Sequence, residues 1–216
     1  DVIFMVGASG ALSPQVVPGD VVVGTGLLDR DGGYLTQKGF VPGGSWIYEK
    51  DKPYFPYLTR EITPDRELLK FAKSVSLEAE EKLDSFGERK AKVHFGKIAT
   101  GDLFVAALKD KQKLYETYDA MAAEMEGAAL AQTAYALDLP FLVVRGISDH
   151  ADDSIELEDP LVYKDTKTLE ETLLETKDKQ EDPLKVASEA AKSLHSVFQK
   201  ASFNACEIVS SIIKRL

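Results

Sequence analysis

The chain has 216 residues, of which 44% are hydrophobic and 29% are charged, a mixture typical of a globular domain with a sizeable core. Its net charge of −10 disfavours a nucleic-acid partner, since phosphate backbones require a basic face. No apolar run approaches the roughly 18 residues of a membrane helix, so no membrane partner is expected. Cys206 is the only cysteine, which excludes an intrachain disulfide and a cysteine-based zinc site and favours a cytoplasmic protein.

The N-terminal part of the chain predicts two buried strands. Residues 2–6 form an apolar run that suits a strand buried on both faces, and residues 7–12 follow as a predicted small-residue loop. The turn signal at residues 18–20 precedes a second strand at 21–23. Residues 29–60 are rich in glycine, proline and aromatic side chains, which predicts a long irregular excursion.

Helices and strands alternate in the rest of the chain. The next helix is predicted to begin with Thr63 as its N-cap and Pro64 at its first position, and to end at Gly87. The later elements are predicted strands at 93–99, 120–123 and 141–144, and predicted helices at 108–118, at 126–137 and from Pro183 to the C-terminus. This alternation indicates an α/β fold.

The acidic residues concentrate in one segment. Residues 152–182 contain twelve acidic residues and four lysines, a net charge of −8 out of the −10 of the whole chain. A solvated loop or helix face accounts for such an excess. We therefore expect one domain over residues 1–216, with an acidic insertion at about 153–182.

Three predicted strands end in polar residues set among small ones, at 7–10, 101–104 and 145–149. Ligands of α/β sheets bind at the carboxyl ends of the strands, so these segments predict one shared pocket. The three histidines are too scattered to indicate a metal site, and no cofactor motif is present. Glu124 and Glu126 lie where a strand becomes a helix, and they suit either ligand binding or interaction with the helix dipole.

Five blocks of the sequence resemble the nucleoside phosphorylase and nucleosidase superfamily, and most closely the nucleosidases that act on 5′-methylthioadenosine and S-adenosylhomocysteine. The blocks are residues 6–12, 19–23, 100–105, 123–132 and 144–152. The resemblance implies a mixed, largely parallel central sheet flanked by helices. It also implies hydrolysis of the N-ribosidic bond of a purine nucleoside, without a metal or other cofactor, by a homodimer.

The resemblance also assigns roles to residues of these blocks. Asp149 is expected to protonate the departing purine as a general acid, since an unprotonated base is a poor leaving group. Ser148 and Arg145 are expected to support it, and Glu126 to bind the ribose hydroxyls. The remaining expected substrate contacts are the backbone of Ala8, Ser9 and Gly10, the apolar walls Phe104 and Met125, the main chain of Val105, and Glu124.

The choice between water and phosphate as the attacking group depends on two positions. The phosphorylase branch has an arginine where this chain has Met5 and a hydroxyl residue where it has Ala8, and neither of these side chains can hold a dianion. We therefore expect a hydrolase. A phosphate-dependent purine nucleoside phosphorylase and a non-catalytic storage-type relative stay open, although the presence of Asp149 and Glu126 favours an enzyme.

The resemblance implies early strands that this sequence does not contain. In the family these strands carry a glutamate that aligns or deprotonates the attacking water. Because the sequence opens within a predicted strand, we expect the native protein to be longer at its N-terminus.

Overall fold

The computed structural model describes residues 1–49, 52–85, 88–152 and 183–216. In chain order the strands are β1 (Ile3–Ala11), β2 (Val21–Asp29), β3 (Gly33–Thr36), β4 (Gly39–Pro42), β5 (Ser45–Glu49), β6 (Lys52–Thr59), β7 (Val93–Thr100), β8 (Ala120–Glu124) and β9 (Phe141–Asp149). The helices are α1 (Arg66–Ala79), α2 (Leu108–Tyr118), α3 (Gly127–Ala136) and α4 (Pro183–Ile213), and a short 3-10 helix, Glu80–Lys82, follows α1.

Five of the strands close into a barrel in the order β1–β8–β7–β2–β9. β9 runs parallel to β1, and β7 runs parallel to both β2 and β8. Two shorter antiparallel contacts, β1 with β8 and β2 with β9, complete the ring. The predicted mixed, largely parallel sheet flanked by helices is therefore confirmed, with the difference that the sheet closes on itself.

Successive residues of β9 join different hydrophobic clusters, as the alternation of side chains along a strand requires. Leu142 and Val144 pack in one cluster with Ile208 of α4. Val143 and Ile147 pack in another, which also holds side chains of α3 and β2. Burial on both faces explains why this strand is apolar almost throughout.

Helix α4 lies against β9 and β1. The contact is close at Gly146, where an added Cβ would lie 1.7 Å from the carbonyl oxygen of Ala201. Only a residue without a side chain fits there. This contact fixes the C-terminal helix next to the end of β9, where the polar residues begin.

A buried carboxylate, that of Asp20, anchors the start of β2. Arg89 donates to both of its oxygens over 2.7 and 3.0 Å, Lys92 N donates over 2.9 Å, and His94 Nε2 lies 2.9 Å from Oδ2. Burial alone would raise the pKa of Asp20, but the hydrogen bonds of His94, Arg89, Lys92 and Val17 lower it to about 2. The group is therefore a charged structural centre.

The predicted loop at residues 7–12 is wrong, because β1 continues to Ala11. Gly10 and Ala11 pair with Ala123 and Ala122 of β8. The side chains on both strands are small, so intrinsic strand propensity is low at this place, and the pairing between distant segments decides the structure.

The predicted irregular excursion at 29–60 is also wrong, because it contains the antiparallel hairpins β3–β4 and β5–β6. The amides of Gly43 and Gly44 both donate to the carbonyl of Gly32, over 3.0 and 3.1 Å, and close the base of the first hairpin. All four residues of β3 are exposed. A strand exposed in this way has no alternation of polar and apolar residues from which it could be predicted.

The predicted cap of the first helix is wrong as well. The N-cap is Asp65, whose carboxylate accepts a 2.8 Å hydrogen bond from Leu68 N, rather than Thr63. The α-helix ends at Ala79, before the predicted end at Gly87, which lies outside the described residues. The predicted helices at 108–118 and 126–137, the strands at 93–99 and 120–123, and the final helix are confirmed.

The predicted acidic insertion at 153–182 lies outside the described residues, so the division into one domain with an insertion stays a prediction. Within the described ranges, none of the helices combines the length and hydropathy that a membrane crossing requires.

Candidate active site

A cavity of about 380 Å³ opens where β1, β8 and β9 end, a volume within the usual range of small-molecule sites. All the residues predicted to form the site line it. The lining residues are Ala8, Ser9, Gly10, Arg30, Leu103, Phe104, Val105, Ala123, Glu124, Met125, Glu126, Arg145, Ser148, Asp149, Ala151, Phe198 and Ser202.

Asp149 is the last residue of β9, and two neighbours hold its carboxylate. Ser148 Oγ donates to Oδ2 over 2.5 Å, and the amide of Ala151 donates to Oδ1 over 2.8 Å. Ala151 has a left-handed backbone with φ of 51°, a conformation that costs an alanine energy and is often found at functional sites. The turn after β9 therefore fixes the orientation of the carboxyl group.

The glycine on the opposite strand makes room for this carboxylate. A Cβ added to Gly10 would lie 2.9 Å from Asp149 Oδ1 and 2.8 Å from the Cβ of Ala151. The small residues of β1 thus let the two strand ends approach closely. Ser9 Oγ is buried and has no hydrogen-bond partner among the described residues, which leaves it free to bind a ligand.

Glu124 and Glu126 occupy different environments although only one residue separates them. Glu124 is 5% exposed, and its carboxylate accepts hydrogen bonds from the amides of Gly127 and Glu126 and from the hydroxyl of Thr100. Glu124 therefore caps the N-terminus of α3. Glu126 makes no capping bond, and its side chain is 59% exposed at the cavity.

The guanidinium group of Arg145 joins these two carboxylates. Its Nη2 contacts Glu124 Oε2 and lies 3.0 Å from Glu126 Oε2, and the side chain is only 4% exposed. A Cβ on Gly7 would lie 2.2 Å from Nη1, so the glycine of β1 leaves the space that Arg145 needs. The exposed carboxylate of Glu126 is thereby held in place by a buried cation.

The loop after β7 forms the apolar wall of the cavity. Phe104 is 46% exposed and Met125 is 42% exposed, and both border the cavity together with Val105. Arg30 supports this loop, since its Nη2 donates to the carbonyl of Gly101 over 3.0 Å and to that of Leu103. The wall is therefore built on a buried cation that reaches across from β2.

Several lining residues were not predicted from the sequence. Phe198 and Ser202 lie on α4, which the sequence predicted only as a helix. Arg30 lies 71 positions from the carbonyl that it supports, and no local pattern marks it. Ala123 and Ala151 also line the cavity, and nothing in the sequence distinguishes them from the other alanines of the chain.

In the part of the chain that the structure describes, no group of three or more histidine, cysteine or acidic side chains could hold a metal ion.

A family model described as "Phosphorylase superfamily" matches residues 1–213. Among curated relatives, the 5′-methylthioadenosine/S-adenosylhomocysteine nucleosidase of Mycobacterium tuberculosis (strain CDC 1551 / Oshkosh) is 30% identical over 161 residues, which are 69% of this chain and 59% of the relative. The nucleosidase of the same name from Staphylococcus aureus (strain Newman) is 29% identical over 163 residues, 73% of this chain and 60% of the relative. The chain thus spans about 60% of the length of these relatives.

Solved structures share the fold. The 5′-methylthioadenosine/S-adenosylhomocysteine nucleosidase of Neisseria meningitidis, in complex with methylthio-immucillin-A, superposes with a TM-score of 0.62 at 24% identity, over 100% of this chain and 70% of that one. The futalosine hydrolase of Helicobacter pylori strain 26695 gives a TM-score of 0.63 at 22% identity, over 99% of this chain and 67% of that one.

Proposed function

Because the chain belongs to the phosphorylase superfamily, we propose that it hydrolyses the N-ribosidic bond of a purine nucleoside of the methylthioadenosine or S-adenosylhomocysteine type. One observation carries the proposal: Asp149, Glu126 and Phe104 border the same cavity. An acid, a sugar-binding carboxylate and an aromatic wall are the groups that cleavage of a nucleoside requires.

In the proposed reaction Asp149 gives a proton to N7 of the purine, so that the base departs as a neutral molecule when the bond between C1′ and N9 breaks. The oxygen of a water molecule forms the new bond to C1′, and the proton that this water loses passes to solvent, from which Asp149 is protonated again. Ser148 suits both states of this acid. Its hydroxyl can donate to the charged carboxylate over 2.5 Å, or it can accept from the carboxylic acid while donating to the carbonyl of Ser9 at 3.2 Å. Ser148 therefore acts as a positioning residue for the proton.

The ribose is proposed to lie between Met125 and the carboxylate of Glu126, which would accept hydrogen bonds from the sugar hydroxyls. A negative charge at this place also stabilises the positive charge that develops on the sugar as the base leaves. Arg145 keeps the Glu126 carboxylate oriented at 3.0 Å. The base would then pack against Phe104, with its edge toward the main chain of Val105.

The charges around the cavity support water rather than phosphate as the attacking group. Of the described residues that line the cavity, three are acidic, Glu124, Glu126 and Asp149, and two are cationic, Arg30 and Arg145. Arg145 already faces two of these carboxylates, and Arg30 donates to main-chain carbonyls. Both cations are thus already engaged, so a phosphate dianion would find no free cation among the described residues of the cavity and would face the carboxylates of Glu124 and Glu126, which disfavours its binding.

Base release with and without phosphate tests the proposal. The full chain is incubated with methylthioadenosine, S-adenosylhomocysteine, adenosine and inosine, and the free base is measured by chromatography. Adenine released from the thioether nucleosides in phosphate-free buffer is the expected result. Release that requires phosphate would make the protein a phosphorylase, and no release from any nucleoside would favour a non-catalytic relative.

We also propose that the protein is a homodimer and that the β3–β4 hairpin lies in the interface. The side chains of Tyr34 and Leu35 are 52% and 88% exposed, and those of Phe40 and Val41 across the hairpin are 49% and 45% exposed. An isolated two-stranded ribbon is only marginally stable in water. Because this one also exposes large apolar side chains, we infer that another protein surface covers it.

The oligomeric state tests this second proposal. Leu35→Asp is expected to convert a dimer into a monomer in sedimentation experiments. Leu137→Asp, at a residue of similar character that is 53% exposed beyond α3, is the matched control and should leave the dimer intact. A wild-type protein that sediments as a monomer would overturn the proposal.

We further propose that the protein works in the cytoplasm. Its single cysteine means that the fold gains no intrachain disulfide from an oxidising compartment. Fractionation of cells that express the protein tests this, and recovery with the compartments outside the cytoplasm would contradict it.

A further inference from the structure

A second cavity, of about 540 Å³, adjoins the candidate active site. It lies between the loop after β7, helix α2 and the hairpin β3–β4, and its far wall includes Phe40, Pro42, Leu114 and Tyr118. The wall is largely apolar, and the cavity is larger than the 380 Å³ of the active site. It has room for an apolar group of several carbon atoms.

The two cavities share one wall. Leu103, Phe104 and Val105 line both of them, as does Arg30. Arg30 holds this wall by donating to the carbonyls of Gly101 and Leu103. A ligand that packs against the loop from the active-site side is therefore next to the second cavity.

The groups proposed for catalysis line only the first cavity. Asp149, Glu126 and Arg145 border the active site and are absent from the lining of the second cavity. Bond cleavage therefore belongs to the first cavity, and the second is suited to a part of the substrate that does not react. Binding of such remote parts can still contribute to catalysis.

The position of the shared wall indicates which part of the substrate this is. In the proposed function, which this inference rests on, the ribose lies at Glu126 and Met125, and neither residue borders the second cavity. The base lies at Phe104 and Val105, which do border it. The second cavity is thus next to the base and away from the sugar.

We propose that the second cavity accepts an apolar substituent on the six-membered ring of the purine. With N7 directed to Asp149, the exocyclic amine at C6 lies toward the main chain of Val105, and an alkyl or aralkyl group on that amine extends past the shared wall. The preferred substrates are then N6-substituted purine nucleosides.

The test compares methylthioadenosine with N6-benzyl-methylthioadenosine, using the full chain. The benzyl nucleoside is expected to be hydrolysed with a kcat/KM at least as high as that of methylthioadenosine. Thr117→Trp places a large side chain at an exposed position of α2 that lines the second cavity and not the first. It should lower kcat/KM for the benzyl nucleoside by at least about tenfold and leave that for methylthioadenosine unchanged.

Glu116→Trp is the matched control, since Glu116 is exposed on the same helix and lines neither cavity. This variant should leave kcat/KM unchanged for both substrates. A wild-type protein that cleaves methylthioadenosine and rejects the benzyl nucleoside would overturn the inference, as would equal effects of Thr117→Trp on both substrates.

Equilibrium binding separates a failure of this inference from a failure of the proposed function. Calorimetry with adenine and N6-benzyladenine needs no turnover. If no nucleoside is cleaved, the proposed function fails. If Thr117→Trp then weakens the binding of N6-benzyladenine and leaves the binding of adenine unchanged, the second cavity is still supported as the site of the benzyl group. Equal binding of N6-benzyladenine to wild type and variant would contradict it.

Discussion

Asp20 and Asp149 both lie near the C-terminal end of β9, but their carboxylates differ in burial and in the number of hydrogen-bond donors around them. The main chain of Asp20 pairs with Ile147, whose amide donates to it over 2.8 Å, and its fully buried side chain is surrounded by donors from Arg89, Lys92 and Val17. Among the described residues, Asp149 accepts from two donors, and it borders a cavity. A carboxylate whose acceptor positions are filled stabilises the fold, whereas one that keeps a free side toward a cavity can act on a ligand.

Replacing Asp149 is expected to have the largest effect. Asp149→Asn removes the proposed proton donor, so turnover should fall by about 10²–10⁴-fold, while the melting temperature changes little because the amide oxygen can still accept from Ala151 N. Adenine release and thermal unfolding measure the two properties. Asp102→Asn, an exposed carboxylate on the neighbouring loop, should keep the wild-type rate, and an undiminished rate in Asp149→Asn would remove Asp149 from the role of acid.

Replacing Asp20 should give the opposite result. Asp20→Asn removes the buried charge that the half-exposed Arg89 and the amides of Lys92 and Val17 donate to, which costs about 2–3 kcal/mol of unfolding free energy and lowers the melting temperature by about 4–12 °C. The folded fraction should keep its turnover number. Asp84→Asn, at an exposed carboxylate, serves as the control in urea unfolding. A loss of turnover without a loss of stability would place Asp20 in the site and invalidate the contrast.

The two glutamates before α3 sharpen the same comparison within one motif. Glu126→Gln removes an exposed charge that is proposed to bind the ribose, so kcat/KM should fall by about 10–150-fold, which corresponds to about 1.5–3 kcal/mol for a hydrogen bond to a charged group, with little change in stability. Glu124→Gln should chiefly lower stability, because it weakens the buried contact with Arg145 and the cap of α3. Equal effects of the two changes on stability and on kcat/KM would contradict the division of roles.

The pKa of Asp20 predicts a smaller effect that depends on pH. Its folded-state pKa of about 2 lies below the ordinary value of 3.8, so the charged form stabilises the fold above about pH 4. This contribution, about 2 kcal/mol, is lost as the pH falls from about 4 to about 2. The difference in unfolding free energy between wild type and Asp20→Asn should therefore shrink over this range, and a difference that stays constant would contradict the assignment.

The sequence predicted the strands and helices whose apolar residues are regularly buried. The run at residues 141–144 is buried, and the first helix buries Leu68, Ala72 and Val75 at helical spacing, so both left a local signal. β3 left no such signal, since both of its faces are exposed, and the pairing of Gly10 with Ala123 depends on a partner far away in the chain. Threonine and aspartate are both common N-cap residues, so residue type alone could not show that the cap is Asp65 rather than Thr63.

The site residues could be predicted because they follow strands that converge, and because their blocks resemble one family. That reasoning did not separate Glu124 from Glu126, since a carboxylate at a helix start suits both capping and ligand binding. The burial of Glu124 and its hydrogen bond from the hydroxyl of Thr100 decide the matter, and both depend on tertiary packing. Arg30 had no local signal for the same reason.

The central claim, that Asp149 protonates the leaving base, is tested most directly with a leaving group that needs no proton. The rates of wild type and Asp149→Asn are measured on methylthioadenosine and on the p-nitrophenyl riboside that carries the same 5′-methylthio group. We predict that the variant loses about 10²–10⁴-fold on the purine nucleoside and keeps nearly the wild-type rate on the nitrophenyl riboside. Equal losses on both substrates would contradict the account.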